Sequence, residues 1–202
     1  WDLALAEMAT PGFAGTYVLI QFGHNDQPGK PGRSTDLATE FPANLKRYVA
    51  ETRARGATPI LLTPLVRRQF IDGRLQNDLE PWAEAVRAVA AETSTPLVDL
   101  NRASAETVQA LGPAMSARFA QAAPSPEVAA ALLTGTTIAS STGVPTAPGV
   151  PVAAQNNAAV EPLGQARVSF DYTHVGREGA DFFAALVTRD LIAAAPSMRR
   201  LL

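Results

Sequence analysis

The chain has 202 residues, of which 47% are hydrophobic, and 17 Lys and Arg against 19 Asp and Glu give it a net charge of −2. A chain this apolar can build a core, which excludes a disordered protein. Without a basic cluster or an apolar run long enough to span a bilayer, we expect neither nucleic acid nor a membrane as a partner. The absence of cysteine excludes disulfides and thiol nucleophiles, and two histidines, His24 and His174, leave few ligands for a metal.

The chain begins at Trp1 rather than Met and runs directly into an apolar-periodic stretch, with no signal peptide or helix cap. We interpret this start as a cut end. Residues upstream of Trp1 are therefore expected to contain further parts of the domain.

Strands and helices alternate along the first half of the sequence. The β-branched and aromatic run 16–22 predicts a strand buried on both faces of a parallel sheet. Pro42 and Gly56 bracket a predicted helix of about 13 residues. The pattern continues with a strand at 58–63, a helix at 78–93, a strand at 96–100 and a helix at 104–111. This alternation predicts an α/β layered domain with a parallel sheet and right-handed crossovers.

Residues 121–168 break the pattern, because they contain six Pro and only three charged residues. We interpret them as a low-complexity insertion or long loop, partly disordered, with a short helix at 127–133, and assign them no chemistry. A final helix is predicted from Arg177 to about Ala194. We expect a single domain over residues 1–202.

A candidate site follows the first predicted strand. Asn25 lies at the carboxyl edge of the sheet, where open α/β domains place their ligands. Its carboxamide can donate to a developing oxyanion without titrating, and Gly23 lets the backbone turn sharply towards a substrate. The alternative is an ordinary βα turn, in which Asn and Asp are common. His24 and Asp26 either contact substrate or brace this loop.

Asp171 and His174 form a second candidate site before the final helix. One turn brings the carboxylate to the imidazole Nδ1–H, which leaves Nε2 free as a base towards a hydroxyl nucleophile. The alternative is a capped helix entry with a surface histidine. Both histidines of the chain follow predicted strands and lie near an Asp, which strengthens the functional interpretation.

Together these motifs resemble the SGNH (GDSL-like) hydrolase superfamily, whose third block reads Gly-x-Asn-Asp and whose last block reads Asp-x-x-His. The blocks are present as Gly23-His24-Asn25-Asp26 and Asp171-Tyr172-Thr173-His174. Further residues look like the rhamnogalacturonan acetylesterase branch: Gln27, Phe41-Pro42-Ala43-Asn44-Leu45, the stretch 56–64, Arg67-Arg68, Gly176 and Gly179-Ala180. The resemblance covers about residues 1–120 and 168–195.

The resemblance implies a three-layer α/β/α fold of flavodoxin-like type with a central parallel sheet. It also implies that His174 is the general base, that Asp171 orients it and that Asn25 donates to the oxyanion. No metal or organic cofactor is implied.

The sequence departs from the family pattern at the nucleophile. It contains no Gly-Asp-Ser block and no counterpart of the second block's Gly. None of the nine serines lies in Gly-x-Ser-x-Gly, and none ends a predicted strand in the right order. We therefore expect the chain to lack the first strand, first helix and second strand of its sheet, and to be inactive alone.

Three further side chains have two interpretations each. Arg67 and Arg68 follow the second predicted strand, where a guanidinium at the same edge as Asn25 can pair with a uronate. A solvated or salt-bridged pair is the favoured alternative. Trp82 has helical spacing with Val86 and Val89, which favours a core position over a sugar-stacking platform.

The resemblance implies a serine esterase that removes acetyl groups from a polysaccharide, with pectic rhamnogalacturonan as the expected substrate. Pectin degradation implies in turn a secreted protein in an extracellular or periplasmic location. The alternatives are another SGNH acyl hydrolase, lipase-like or thioesterase-like, and a carbohydrate-binding pseudoenzyme that has lost its serine.

Overall fold

The computed structural model describes residues 1–30, 32–140 and 169–201 and divides them into two units. The first unit consists of Trp1–Val66, Asp78–Ser104 and Ala184–Leu202, and the second of Arg67–Asn77 and Ala105–Phe183. The single domain expected from the sequence stays a prediction.

The elements along the chain are α1 (Asp2–Glu7), β1 (Tyr17–Gln21), α2 (Glu40–Ala54), β2 (Thr58–Leu62), β3 (Phe70–Ile71), β4 (Arg74–Leu75), α3 (Glu80–Glu92), β5 (Leu97–Val98), α4 (Leu100–Ser116), α5 (Pro126–Leu133) and α6 (Arg177–Ala194), with 3₁₀ turns at Ala117–Phe119 and Pro196–Arg200.

The first unit contains a parallel sheet with the strand order β1-β2-β5. Ile20 lies opposite Leu61, and Leu61 lies opposite Leu97. The central strand β2 is buried from Pro59 to Leu62, as its nearly continuous apolar sequence predicts for a strand covered on both faces.

Helices cover the two faces of β2. Leu61 packs on one face with the buried side chains of α2 and α3, which are Phe41, Leu45, Val49, Trp82, Val86, Val89 and Ala90. Ile60 and Leu62 point to the other face, where they pack with Leu191 of α6 and with Met198. This arrangement confirms the α/β/α layering. It also confirms Trp82 as a core residue, because its ring meets that of Phe41 edge-on with 4.8 Å between centroids.

The prediction that β1 is buried on both faces is wrong. Ile20 is its only buried residue, and Leu19 is 44% exposed. The reason is position: β1 lies at the edge of the described sheet, and α6 packs over β2 and β5 rather than over Leu19.

Helix α4 begins earlier than predicted, because β5 ends after two residues and Asp99 then caps the helix. The Asp99 carboxylate accepts the backbone N–H of Arg102 at 3.4 Å. Helical dihedral angles are interrupted at Gly112, where φ is +70°, immediately before Pro113. The predicted end at Leu111 agrees with that interruption.

The short helix predicted at 127–133 is present as α5. The hydroxyl of Ser125 accepts the N–H of Val128 and caps it. Residues 134–140 of the predicted insertion are also described, and the N–H of Thr137 donates to the carbonyl of Phe70 at 2.9 Å. Residues 141–168 lie outside the described residues.

A partly buried ion pair links α3 to the end of β5. Nε and Nη2 of Arg87 donate to the two carboxylate oxygens of Asp99 at 2.9 and 3.0 Å, and Nη1 donates to Glu80 at 2.6 Å. The hydroxyl of Thr63 donates to Asp99 as well, at 3.1 Å. Burial by itself raises the pKa of Asp99, but these donors outweigh it and hold the pKa below its usual value.

We expect Asp99→Asn to lower the free energy of unfolding by about 2 kcal/mol at pH 7, because the change removes the doubly hydrogen-bonded partner of Arg87 and leaves it only Glu80. Because the pKa of Asp99 is lower in the folded state, its ionised carboxylate stabilises the fold fully above the unfolded-state pKa of about 3.9. That stabilisation is lost as the pH falls through the folded-state pKa. The deficit of the variant should therefore shrink in acid. Urea denaturation at pH 7 and pH 3 measures both effects.

The matched control is Glu92→Gln, which removes an exposed ion pair with Lys46. Exposed pairs contribute about 0–1 kcal/mol, so this variant should unfold close to the wild type. Equal losses for the two variants would contradict a special contribution from Asp99.

Candidate active site

The loop that carries His174 belongs to the second unit and leads into α6. Residues 169–171 have no regular secondary structure and residues 172–174 form bends, whereas the sequence predicts a strand before His174. The chain is held instead by side chains: Phe170 and Tyr172 pack edge-on with 5.2 Å between ring centroids, and the Tyr172 hydroxyl donates to the carbonyl of Ile138 at 2.8 Å. This loop is therefore fixed by packing and not by a sheet.

Asp171 and His174 are in direct contact. Oδ2 of Asp171 lies 2.7 Å from Nδ1 of His174, and Oδ1 accepts the backbone N–H groups of Thr173 and His174 at 2.7 and 2.6 Å. A carboxylate only accepts hydrogen bonds, so Nδ1 carries the proton and Nε2 has the free lone pair. The His174 side chain is 69% exposed, whereas that of Asp171 is 27% exposed. The base nitrogen is thus accessible and its orientation is fixed.

The environment of Asp171 keeps its carboxyl ionised. Partial burial raises its pKa, but the hydrogen bonds from the imidazole and from the backbone N–H groups of His174 and Thr173 outweigh burial, so the pKa lies below its usual value. The Asp171 carboxylate therefore carries its negative charge beside Nδ1 at neutral pH. That charge stabilises an imidazolium.

The Arg68 guanidinium holds this loop in place by hydrogen bonds to main-chain carbonyl groups. Nη2 donates to the carbonyls of His174 and Asp171 at 2.7 and 3.0 Å, and Nη1 reaches that of Thr173 at 3.5 Å. The Arg68 backbone N–H donates to the carbonyl of Tyr172 at 2.9 Å. Arg68 is 1% exposed, and only its Nε–H lacks a partner within the described part of the chain.

The interpretation of Arg67 and Arg68 as a solvated pair is wrong. Both are buried, and Nε of Arg67 donates to the Thr173 hydroxyl at 3.1 Å. The guanidinium of Arg68 is hydrogen-bonded to carbonyl groups of the protein, so it is not available to bind a uronate. Sequence analysis did not predict this structural role of Arg68. The one indication in the sequence was the unusual pair of arginines that follows a buried strand.

Two glycines allow the start of α6 to approach residues 119–120 closely. A Cβ on Gly176 would lie 2.6 Å from the carbonyl oxygen of Ala120, and one on Gly179 would lie 2.7 Å from that of Phe119. The N–H of Gly176 donates to the Phe119 carbonyl at 2.8 Å. Close backbone packing thus fixes the helix that follows His174.

Asn25 belongs to the first unit, in the turn that follows β1. Gly23 has a φ of +131°, and its N–H donates to Oδ2 of Asp26 at 2.9 Å. Oδ1 of Asp26 accepts the Thr35 hydroxyl at 3.2 Å, so Asp26 braces the loop. The Asn25 side chain is exposed, makes no hydrogen bond to another described residue and lines a cavity of about 280 Å³. Its carboxamide is free to donate.

Within the second unit, the described serines do not complete a catalytic triad. The imidazole of His174 forms no hydrogen bond with a described serine of that unit. Ser104 and Ser116 are buried and donate to main-chain carbonyls, and Ser125 caps α5. Ser141 lies outside the described residues.

The described parts of the chain contain no group of three or more His, Cys, Asp or Glu side chains that could hold a metal ion. None of the described helices is long and apolar enough to cross a bilayer.

Comparison with known proteins gives consistent matches. A sequence model of the GDSL-like lipase/acylhydrolase family matches residues 1–118. Rhamnogalacturonan acetylesterase RhgT of Bacillus subtilis is 38% identical over 117 residues, which cover 57% of this chain and 48% of that protein. A probable rhamnogalacturonan acetylesterase of the same organism, YesY, is 38% identical over 85 residues, 42% of this chain and 39% of that protein.

The crystal structure of the YxiM protein of Bacillus subtilis superposes with a TM-score of 0.56 at 21% identity, covering 94% of this chain and 40% of that one, which shows a shared fold. The chain spans about half the length of the curated relatives that it matches. The family match includes the Asn25 turn and extends over more than half of the chain. This chain therefore belongs to the GDSL-like lipase/acylhydrolase family.

Proposed function

We propose that the protein is an esterase that removes acetyl groups from a polysaccharide. The observation that carries this proposal is the contact of 2.7 Å between Asp171 and Nδ1 of His174, which leaves Nε2 exposed as a base. An oriented imidazole of this kind activates a hydroxyl nucleophile for attack on an ester carbonyl.

In the proposed reaction, a serine hydroxyl attacks the acetyl carbonyl and Nε2 of His174 takes the hydroxyl proton. Asp171 stabilises the imidazolium, and the Asn25 carboxamide donates to the oxyanion of the tetrahedral intermediate. The imidazolium returns the proton to the departing sugar oxygen. Water then hydrolyses the acetyl-enzyme with the same base and releases acetate. We place the serine outside the 202 residues, because the sequence contains no Gly-Asp-Ser block and no described serine of the second unit contacts His174.

Rhamnogalacturonan is the proposed polymer, supported by the 38% identity to rhamnogalacturonan acetylesterase RhgT. A pectic polymer is too large to enter a cell intact, so we also propose an extracellular or periplasmic location and a role in pectin degradation.

The test is acetate release from acetylated rhamnogalacturonan by the protein expressed from its complete reading frame. We expect release that stops when the nucleophile is blocked by a serine-directed organophosphorus reagent. Failure to release acetate from this polymer or from a small activated acetate ester would contradict the proposal and favour a carbohydrate-binding pseudoenzyme.

A second candidate is a lipase-like acyl hydrolase, and one observation favours it. The second unit contains a mainly apolar cavity of about 520 Å³, lined by alanines of residues 114–129 with Leu132 and Leu133, and also by Arg118, Gln121 and Glu178. A cavity of this kind suits a longer acyl chain. Kinetics on a series of p-nitrophenyl esters distinguish the two candidates. As the acyl chain lengthens, kcat/KM should fall for an acetylesterase and rise for a lipase-like enzyme.

A further inference from the structure

The cavity beside Asn25 is formed by the loop after β1 and by α2, all within the first unit. Its volume of about 280 Å³ lies just below the range of roughly 300–1,000 Å³ that is usual for small-ligand sites. That volume suits one ring of a polymer better than a long acyl chain.

Three polar side chains of the cavity wall are available to a ligand. Asn25, Arg33 and Asn44 line it, and none of their side chains forms a hydrogen bond or an ion pair with another residue in the described parts of the chain. Asp26 also lines the cavity, and its two carboxylate oxygens accept the N–H of Gly23 and the hydroxyl of Thr35, which leaves one acceptor site on each oxygen. The side chains of the wall without a partner in the described residues are therefore two carboxamides and one guanidinium.

The remaining wall is aromatic and apolar. Phe41 and Leu45 are buried, whereas Phe22 is 42% exposed and its ring centroid lies 5.4 Å from that of Tyr48. Aromatic rings of this kind pack on the C–H faces of a sugar, while carboxamides bind its hydroxyl groups.

We propose that this cavity binds an acidic sugar residue of the polymer, with Arg33 pairing with its carboxylate. A guanidinium presents parallel N–H donors that match a carboxylate. Asp26 lines the same cavity, but Arg33 forms no ion pair with it or with another described residue. The position beside Asn25 places the uronate next to the group proposed to hold the oxyanion. This inference rests on the proposed function for its polymer and replaces Arg67 and Arg68 as the carboxylate-binding arginines.

The test measures binding without turnover. An oligosaccharide of galacturonate and rhamnose is titrated calorimetrically into the complete protein carrying His174→Ala, and so is the same oligosaccharide with its carboxylates converted to methyl esters. We expect the acidic form to bind at least about tenfold more tightly than the ester, and Arg33→Gln to bring that ratio close to one. Arg33→Lys keeps the charge without the paired donors and should give an intermediate ratio.

The matched control is Arg74→Gln in β4, an exposed arginine without an ion pair in the described part of the chain, which should keep the wild-type ratio. Equal weakening of both oligosaccharides by Arg33→Gln, or no weakening, would overturn the inference. Acetate release is assayed separately with His174 intact. A protein that binds through Arg33 but releases no acetate contradicts only the proposed function, and one that releases acetate with a ratio independent of Arg33 contradicts only the acidic subsite.

Discussion

Replacing His174 with alanine is expected to lower kcat for acetate release by about 10⁴–10⁶-fold and to leave KM nearly unchanged. The contact with Asp171 orients the imidazole and leaves Nε2 without a proton, so Nε2 is the atom that we propose accepts the nucleophile's proton. Because the side chain is 69% exposed, its removal should cost little folding free energy. Steady-state kinetics on acetylated rhamnogalacturonan, with a thermal melt of each protein, measure both effects.

Asn25→Ala is the comparison variant for the His174 change. Removal of one oxyanion donor costs about 10²–10³-fold in kcat, and the pH profile is retained because no titrating group is lost. The lowered pKa of Asp171 keeps its carboxyl ionised at neutral pH, so the carboxylate remains beside Nδ1 of His174 in this variant as well. Undiminished acetate release by His174→Ala would remove His174 from the mechanism.

The layered fold follows from local patterns that the sequence displays. Strand β2 and helices α2 and α3 were predicted because burial on two faces requires continuous apolar residues and burial on one helix face requires helical spacing. The burial of β1 was predicted wrongly because an identical apolar run is buried or exposed according to which strands and helices pack beside it. Leu19 shows this, as it pairs in register with the buried Ile60 yet is 44% exposed.

The contact of Asp171 with His174 was predictable because the two residues are three positions apart, and one turn closes that distance. The hydrogen bonds by which Arg68 holds these two residues in place were not predictable. Arg68 lies more than 100 residues before its partners, and those partners are carbonyl groups that every residue possesses. No residue type at 171–174 therefore signals an arginine, and only the folded chain reveals the contact.

The last prediction concerns Arg68. Burial lowers its pKa to about 10 against the opposing charge of Asp171, so the guanidinium remains cationic at pH 7. Arg68→Met keeps a long apolar side chain but leaves the carbonyls of Asp171 and His174 without their donor. We expect the second unit to lose about 3–5 kcal/mol of unfolding free energy, measured by urea denaturation.

The same change should also affect catalysis, because the His174 carbonyl and the His174 imidazole belong to one residue. A displacement of about 1 Å at a catalytic group costs roughly 10²-fold in rate, so Arg68→Met should lower kcat by about that factor at a temperature where the protein stays folded. KM should change little, since Arg68 is buried away from substrate. Arg68→Lys retains a charged donor and should recover part of both losses, which keeps the prediction testable if the Met variant does not fold. Wild-type stability and kcat in both variants would show that the loop holds His174 in place without Arg68.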